Sequence, residues 1–204
     1  NDRKGGTYFG ATGCGKTYTM MFLARQLALR CPELGSPTIV MIVDREDLQS
    51  QAGDLFKQSS DFLSLGAAQV IESRKNLGEE MGSRKSGGFF ICTIQKFCEE
   101  TGLLNDRHNI VCFSDEAHRT QVHLNTQLKV KDIEEGKTVS NKDKIGAFVT
   151  KPYAELLRTA FPNATFVGFT GTPIDETVQV FGQIVDSYTM RQAVDDGITR
   201  DIKY

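Results

Sequence analysis

The chain has 204 residues, 39% of them hydrophobic, which suits one globular α/β domain of moderate size with its own core. Its formal charge of −2 and pI near 6.0 exclude a global basic field, so any nucleic-acid contact must come from a local groove. No apolar run is long enough to span a bilayer, no basic-then-apolar start marks a signal peptide, and the five cysteines include no Cys-x-x-Cys pair.

Those cysteines (Cys14, Cys31, Cys92, Cys98 and Cys112) fall mostly in apolar segments and read as reduced, mostly buried thiols of a cytoplasmic protein. The start, Asn1-Asp2-Arg3-Lys4, runs almost directly into an apolar strand without an initiator methionine. A segment cut from a longer protein is expected to begin this way.

Strand-like apolar runs alternate with helical stretches along the chain, the pattern of βαβ units around a mainly parallel sheet. Thr7-Tyr8-Phe9 is the first strand. It leads into Gly10-Ala11-Thr12-Gly13-Cys14-Gly15-Lys16-Thr17, which matches G-x-x-x-x-G-K-[ST] between a strand and a helix, where that motif belongs. Its glycines let successive backbone N–H groups close around phosphate oxygens, and the helix N-terminus adds favourable partial charge. Thr12, Gly13, Cys14, Gly15, Lys16 and Thr17 are therefore the expected nucleotide-binding residues, with Lys16 on the β- and γ-phosphates and Thr17 on Mg²⁺.

The following helix, Lys16–Arg30, carries Met20, Met21, Leu23, Ala24 and Leu27 on its apolar side and stops at Pro32 and Gly35-Ser36-Pro37. Thr38-Ile39-Val40-Met41-Ile42-Val43 is a near-continuous apolar run, as in a strand covered on both faces, and it ends at Asp44-Arg45. A helix is expected from there to about residue 62, then a short strand at Gln69-Val70-Ile71. The stretch 74–88, rich in Gly, Ser, Lys and Glu, reads as a loop. Phe89-Phe90-Ile91-Cys92 is a further strand, and Thr93-Ile94-Gln95-Lys96-Phe97 reads as the entry to a helix.

Ile110-Val111-Cys112-Phe113 is another strand, and it delivers Asp115 and Glu116, with His118 two residues on. In a parallel α/β sheet, ligands bind beyond the carboxyl ends of the strands, where this pair and the phosphate loop would both lie. Asp115 can hold magnesium while Glu116 polarises the water that attacks the γ-phosphate. Taken alone, the pair would equally suit a helix N-terminus. His108 and His123 read as surface or structural histidines.

Residues 121–144 are polar and charged without a period, and 129–144 resembles a solvated insertion. A helix at Tyr153–Ala160 precedes Ala164-Thr165-Phe166-Val167-Gly168-Phe169 and then Thr170-Gly171-Thr172-Pro173. The tail holds one more strand candidate from Ile184 and a short helix near Met190–Asp195.

The acidic box with Thr170-Gly171-Thr172-Pro173 resembles the first RecA-like domain of a superfamily 2 helicase or translocase of the DEAD/DEAH-box kind. The resemblance narrows on five blocks spread over nearly the whole chain: Ile42-Val43-Asp44-Arg45-x-Asp47-Leu48-x-x-Gln51, Thr93-Ile94-Gln95-Lys96-Phe97, Asp115-Glu116-Ala117-His118-Arg119-x-Gln121, Phe169-Thr170-Gly171-Thr172-Pro173-Ile174 and Gln192-Ala193-Val194-x-Asp196-Gly197-Ile198. Together they resemble the motor (R) subunit of type I restriction enzymes. That family hydrolyses ATP to pump double-stranded DNA past a complex anchored at its recognition site, and a nuclease domain on the same chain then cuts.

The resemblance implies a three-layer α/β fold of the RecA-like P-loop NTPase type over residues 1–183, with the polar insertion at about 124–148. Residues 184–204 would be a connector toward a second RecA-like domain. It also implies ATP and Mg²⁺ as cofactors, with Lys16, Asp115 and Glu116 driving hydrolysis and Thr17 and Asp115 on the metal. His118, Arg119, Thr170 and Thr172 would couple hydrolysis to movement. Arg45, Gln51, Thr93, Gln95 and Lys96 would face the backbone of double-stranded DNA. Partners would be the specificity and modification subunits of the complex.

Two residues depart from the family pattern: Cys14 stands where serine is usual in the loop, and Ser114 where an aliphatic residue usually precedes Asp115. The nuclease domain, the adenine-reading segment and the second lobe with its arginine fingers lie outside this sequence. A strand-separating helicase of the same superfamily and a non-catalytic ATP-binding switch are the other readings, although a switch has no need of Glu116.

Overall fold

The computed structural model describes residues 4–44, 46–97, 102–117, 153–173 and 175–198. Seven strands form one sheet in the order β3-β4-β2-β5-β6-β1-β7. They are β1 (Lys4–Gly10), β2 (Thr38–Val43), β3 (Gln69–Val70), β4 (Phe89–Thr93), β5 (Ile110–Ser114), β6 (Thr165–Thr170) and β7 (Ile184–Tyr188). Every neighbouring pair is parallel, so all carboxyl ends lie along one edge.

Parallel pairing demands crossovers, and the helices that make them cover both faces of the sheet. On one side lie α1 (Lys16–Arg30), α2 (Glu46–Gln58) and α3 (Ser60–Leu63). They bury Met20, Met21, Ala24, Phe56 and Leu63 against Ile39, Met41 and Val43 of β2. On the other lie α4 (Arg74–Gly82), α5 (Tyr153–Ala160) and α6 (Asp175–Phe181), whose Leu77, Met81, Leu157 and Phe181 pack on Val40 and Ile42. Alternate residues of β2 thus serve opposite cores, which is why its sequence is apolar throughout. A short α7 (Met190–Asp195) follows β7 and carries a capping box between Thr189 and Gln192.

Residues 74–88 differ from the loop expected. Ser73 accepts a hydrogen bond from the Asn76 N–H (3.1 Å) and caps α4, which buries Leu77 and Met81 on one face. Two apolar residues four apart decide the helix, although charged residues and Gly78 surround them. After β4 the chain makes only a 3-10 turn, Ile94–Lys96, before returning to extended backbone at Phe97. The helix expected to run to residue 62 breaks after Gln58 and resumes as α3.

In the stretch read as a connector, β7 pairs in parallel with β1 at the sheet edge. Cys92 and Cys112 are buried in the core, and burial pushes the Cys92 thiol up to about 12. Cys14 and Cys31 are only partly buried. Cys98, His123 and the insertion at 124–148 lie outside the described residues. Among the described residues no helix is long and apolar enough to cross a membrane.

Candidate active site

Between β1 and α1 the loop turns on Gly13 (φ 80°) and Gly15 (φ 86°), both left-handed, where a side chain would strain the backbone. A β-carbon on Gly13 would meet nothing within 4 Å, so the loop is open on its outer side. The first turn of α1 holds no acidic residue and its N-cap makes no side-chain hydrogen bond. That leaves the positive end of the helix for an anion. The Ala11 N–H donates to the Tyr188 carbonyl (2.9 Å), which ties the loop to β7.

Lys16 is nearly buried, its side chain 10% exposed. Its Nζ donates to the Gly10 carbonyl (3.3 Å) and stands 3.9 Å from Glu116 Oε1. The phosphate loop and the acidic box, far apart in sequence, are therefore in contact. The turn after β6 completes the group. A β-carbon on Gly171 would lie 3.4 Å from both the Gly10 carbonyl oxygen and Thr12 Oγ1, and 3.8 Å from Lys16 Nζ. The turn after β6 therefore lies in van der Waals contact with the loop. Thr170 is fully buried and its Oγ1 accepts from the Thr172 N–H (3.1 Å), while Thr172 is exposed.

Asp115 leaves β5 with its N–H donating to the Ile42 carbonyl (2.9 Å), and its Oδ1 accepts from the Glu116 N–H (3.0 Å). Burial first, and the neighbouring Glu116 second, raise its carboxyl above the usual range. Glu116 has φ 49°, a left-handed conformation uncommon for a residue with a side chain. Asp115 and Thr17 line one cavity of about 210 Å³ together with Gly15, Tyr18 and Gln51. The rest of its wall includes apolar Met41, Val43 and Leu55, and the Asp115 carboxylate and Thr17 hydroxyl are the oxygen donors a hard divalent cation takes.

The residues expected on DNA divide. Gln95 is exposed and its Nε2 donates to the Asp44 carbonyl (2.9 Å), and Gln51 is also exposed. Thr93 and Lys96 instead turn inward, 1% and 7% exposed, with Lys96 Nζ donating to Thr93 Oγ1 (3.2 Å) and 4.0 Å from Glu46 Oε1. In this arrangement the two brace the turn after β4. Arg45, His118 and Arg119 lie outside the described residues.

Sequence reasoning missed Tyr188 as a support of the loop. Its hydroxyl donates to Asp196 Oδ2 (2.6 Å) while its carbonyl holds Ala11, so the block containing Asp196 is joined to the phosphate loop through one residue.

The SWI2/SNF2 ATPase family model matches residues 1–204. The chain is 40% identical over 212 aligned positions to the type I restriction enzyme HindI endonuclease subunit of Haemophilus influenzae, covering 100% of this chain and 18% of that protein. It is 26% identical over 201 positions to the type I restriction enzyme SauCOLORF180P endonuclease subunit of Staphylococcus aureus, covering 91% of this chain and 18% of that protein. The chain thus spans under a fifth of the length of these relatives. Among solved structures, S. cerevisiae Dbp5 bound to RNA and ADP BeF3 matches with a TM-score of 0.53 at 15% identity, over 90% of this chain and 42% of that one. This likeness concerns the fold.

Proposed function

Because the chain belongs to the SWI2/SNF2 ATPase family, we propose that it binds and hydrolyses ATP as the motor domain of a type I restriction endonuclease subunit, driving double-stranded DNA past a complex of specificity and modification subunits in the cytoplasm. Similarity to endonuclease subunits over 100% and 91% of this chain supports the restriction assignment. The observation that carries the chemistry is Lys16 standing 3.9 Å from Glu116 beneath the Gly171 turn.

The loop from Thr12 to Thr17 receives the phosphates on its backbone N–H groups and the α1 N-terminus. Lys16, resting between Gly10 and Glu116, moves its contact to the phosphate oxygens. Thr17 and Asp115 would hold Mg²⁺, which would neutralise charge on the phosphates. Glu116, released from Lys16, orients the attacking water and accepts its proton. Thr170 and Thr172, on the turn that touches the loop, are placed to transmit occupancy of the site. Gln51 and Gln95 are the outward residues for the DNA backbone. A second lobe contributes the arginine that stabilises the transition state.

In the full-length protein Lys16→Ala should abolish ATP binding, and Glu116→Gln should stop hydrolysis while binding persists. Normal turnover by the glutamine variant would remove Glu116 from its role. Displacing a DNA triplex strand ahead of the motor, without unwinding duplex, would separate translocation from strand separation.

A further inference from the structure

Behind the acidic turn lies a buried phenol that the hydrolysis scheme does not use. Tyr153, the first residue of α5, is 1% exposed, and among the described residues its hydroxyl has no hydrogen-bond partner. A buried hydroxyl left without one costs about 1–3 kcal/mol, so its position calls for a partner. Phe97 packs edge-on to the ring, with centroids 6.3 Å apart.

Tyr153 borders a small cavity of about 10 Å³, whose wall also includes Asp44, Ser114, Asp115 and Glu116. That volume is about the smallest that holds one water, and beside apolar Ile42, Val43 and Ile94 the wall supplies polar residues that a water can bond. The Ser114 hydroxyl is close enough to act on the phenol, although the two do not meet with ordinary hydrogen-bond geometry. Burial holds the phenol neutral, so it can both donate and accept.

The turn in front of this cavity is under strain. Glu116 has a left-handed backbone, a conformation that persists only where the surroundings over-determine it. In the proposed cycle ATP draws Lys16 away from the Glu116 carboxylate, so support of the turn from behind gains weight at the moment of hydrolysis.

We propose that Tyr153 is a positioning residue for hydrolysis: its hydroxyl binds one water in this cavity, and that water braces the Ser114–Asp115–Glu116 turn. The inference rests on the hydrolytic reading of Glu116. Tyr153→Phe removes the hydroxyl and keeps the ring.

In the full-length protein on DNA, Tyr153→Phe should lower kcat for ATP by about tenfold, the lower end of the loss seen when an outer support of a reacting group is removed. KM for ATP should stay within about twofold and the melting temperature should not fall, because the substitution removes the cost of burying the hydroxyl along with its one bond to water. Ser114→Ala added to Tyr153→Phe should cost less than the sum of the two separate losses, since both act through one water. A crystal structure of the wild-type protein should show that water within hydrogen-bond distance of Tyr153 Oη.

Unchanged kcat in Tyr153→Phe would overturn the proposal. So would a kcat loss accompanied by a fall in melting temperature, or a crystal structure with no water against the phenol. If Lys16→Ala and Glu116→Gln themselves left turnover intact, the failure would lie in the hydrolytic reading instead.

Discussion

At the scale of single residues, Asp115 shows how burial and a neighbouring charge act on one carboxylate. Asp115 is pushed toward its neutral form by burial and by Glu116, so the folded protein binds a proton there more readily than the unfolded chain does. A raised carboxyl pKa means that folding is favoured at low pH and that this advantage is lost as pH rises from the unfolded value, about 3.9, through the folded one. Without Mg²⁺, Asp115→Asn is therefore expected to raise the melting temperature at neutral pH, with the gain shrinking as the pH falls through the folded pKa and gone below the unfolded one. Thermal melts with a chelator across pH would check this; equal gains at every pH would refute it. Lys16, Thr17, Asp115 and Glu116 stood out in the sequence because each belongs to a short motif, and the fold brings Lys16 to Glu116 and Thr17 to the cavity of Asp115. The inward turn of Thr93 and Lys96 did not stand out, since a lysine reads as exposed until the packing around it is known.

At the scale of elements, the site depends on how closely strands and turns approach. Gly168 of β6 is an example: a β-carbon there would lie 2.8 Å from Phe181 Cγ and 3.1 Å from the Ala117 β-carbon. Gly168→Ala must push α6 or the residue after Glu116 outward. It is expected to cost about 1–3 kcal/mol in urea unfolding, as overpacking does, and to slow hydrolysis because Ala117 is displaced. A variant of unchanged stability and turnover would show that the neighbours yield freely. Long elements with strong periods, such as α1 and β2, were legible from sequence. Helix α4 was hidden because its two core residues stand among charges and a glycine, and the turn at Ile94–Lys96 because a 3-10 turn and the start of an α-helix look alike over three residues.

At the scale of the whole molecule, the phosphate loop is open on its outer side, and the proposed partner lobe must close over it. Residues 1–204 alone are thus expected to bind nucleotide yet turn it over slowly, since an in-trans arginine is worth about 10³–10⁵ in rate. DNA-stimulated ATPase measurements on the isolated chain and the full-length protein would test this, and comparable rates would refute it. The edge position of β7 belongs to the same scale. The tail, read as a connector, adds a strand to the sheet and holds Ala11 through the Tyr188 carbonyl.

The sequence by itself determined the α/β class, the glycine-rich loop between β1 and α1 and the pair of carboxylates after β5, because these depend on periodicity and on spacing within a few residues. Tertiary structure alone decided that Lys16 rests on Glu116, that Gly171 sits against Gly10, that Lys96 faces inward and that Tyr153 lies behind the acidic turn. The reason is the strand order. A parallel sheet puts β1 beside β6 and β7, and β5 between β2 and β6, and these non-local pairings carry no mark in the local sequence.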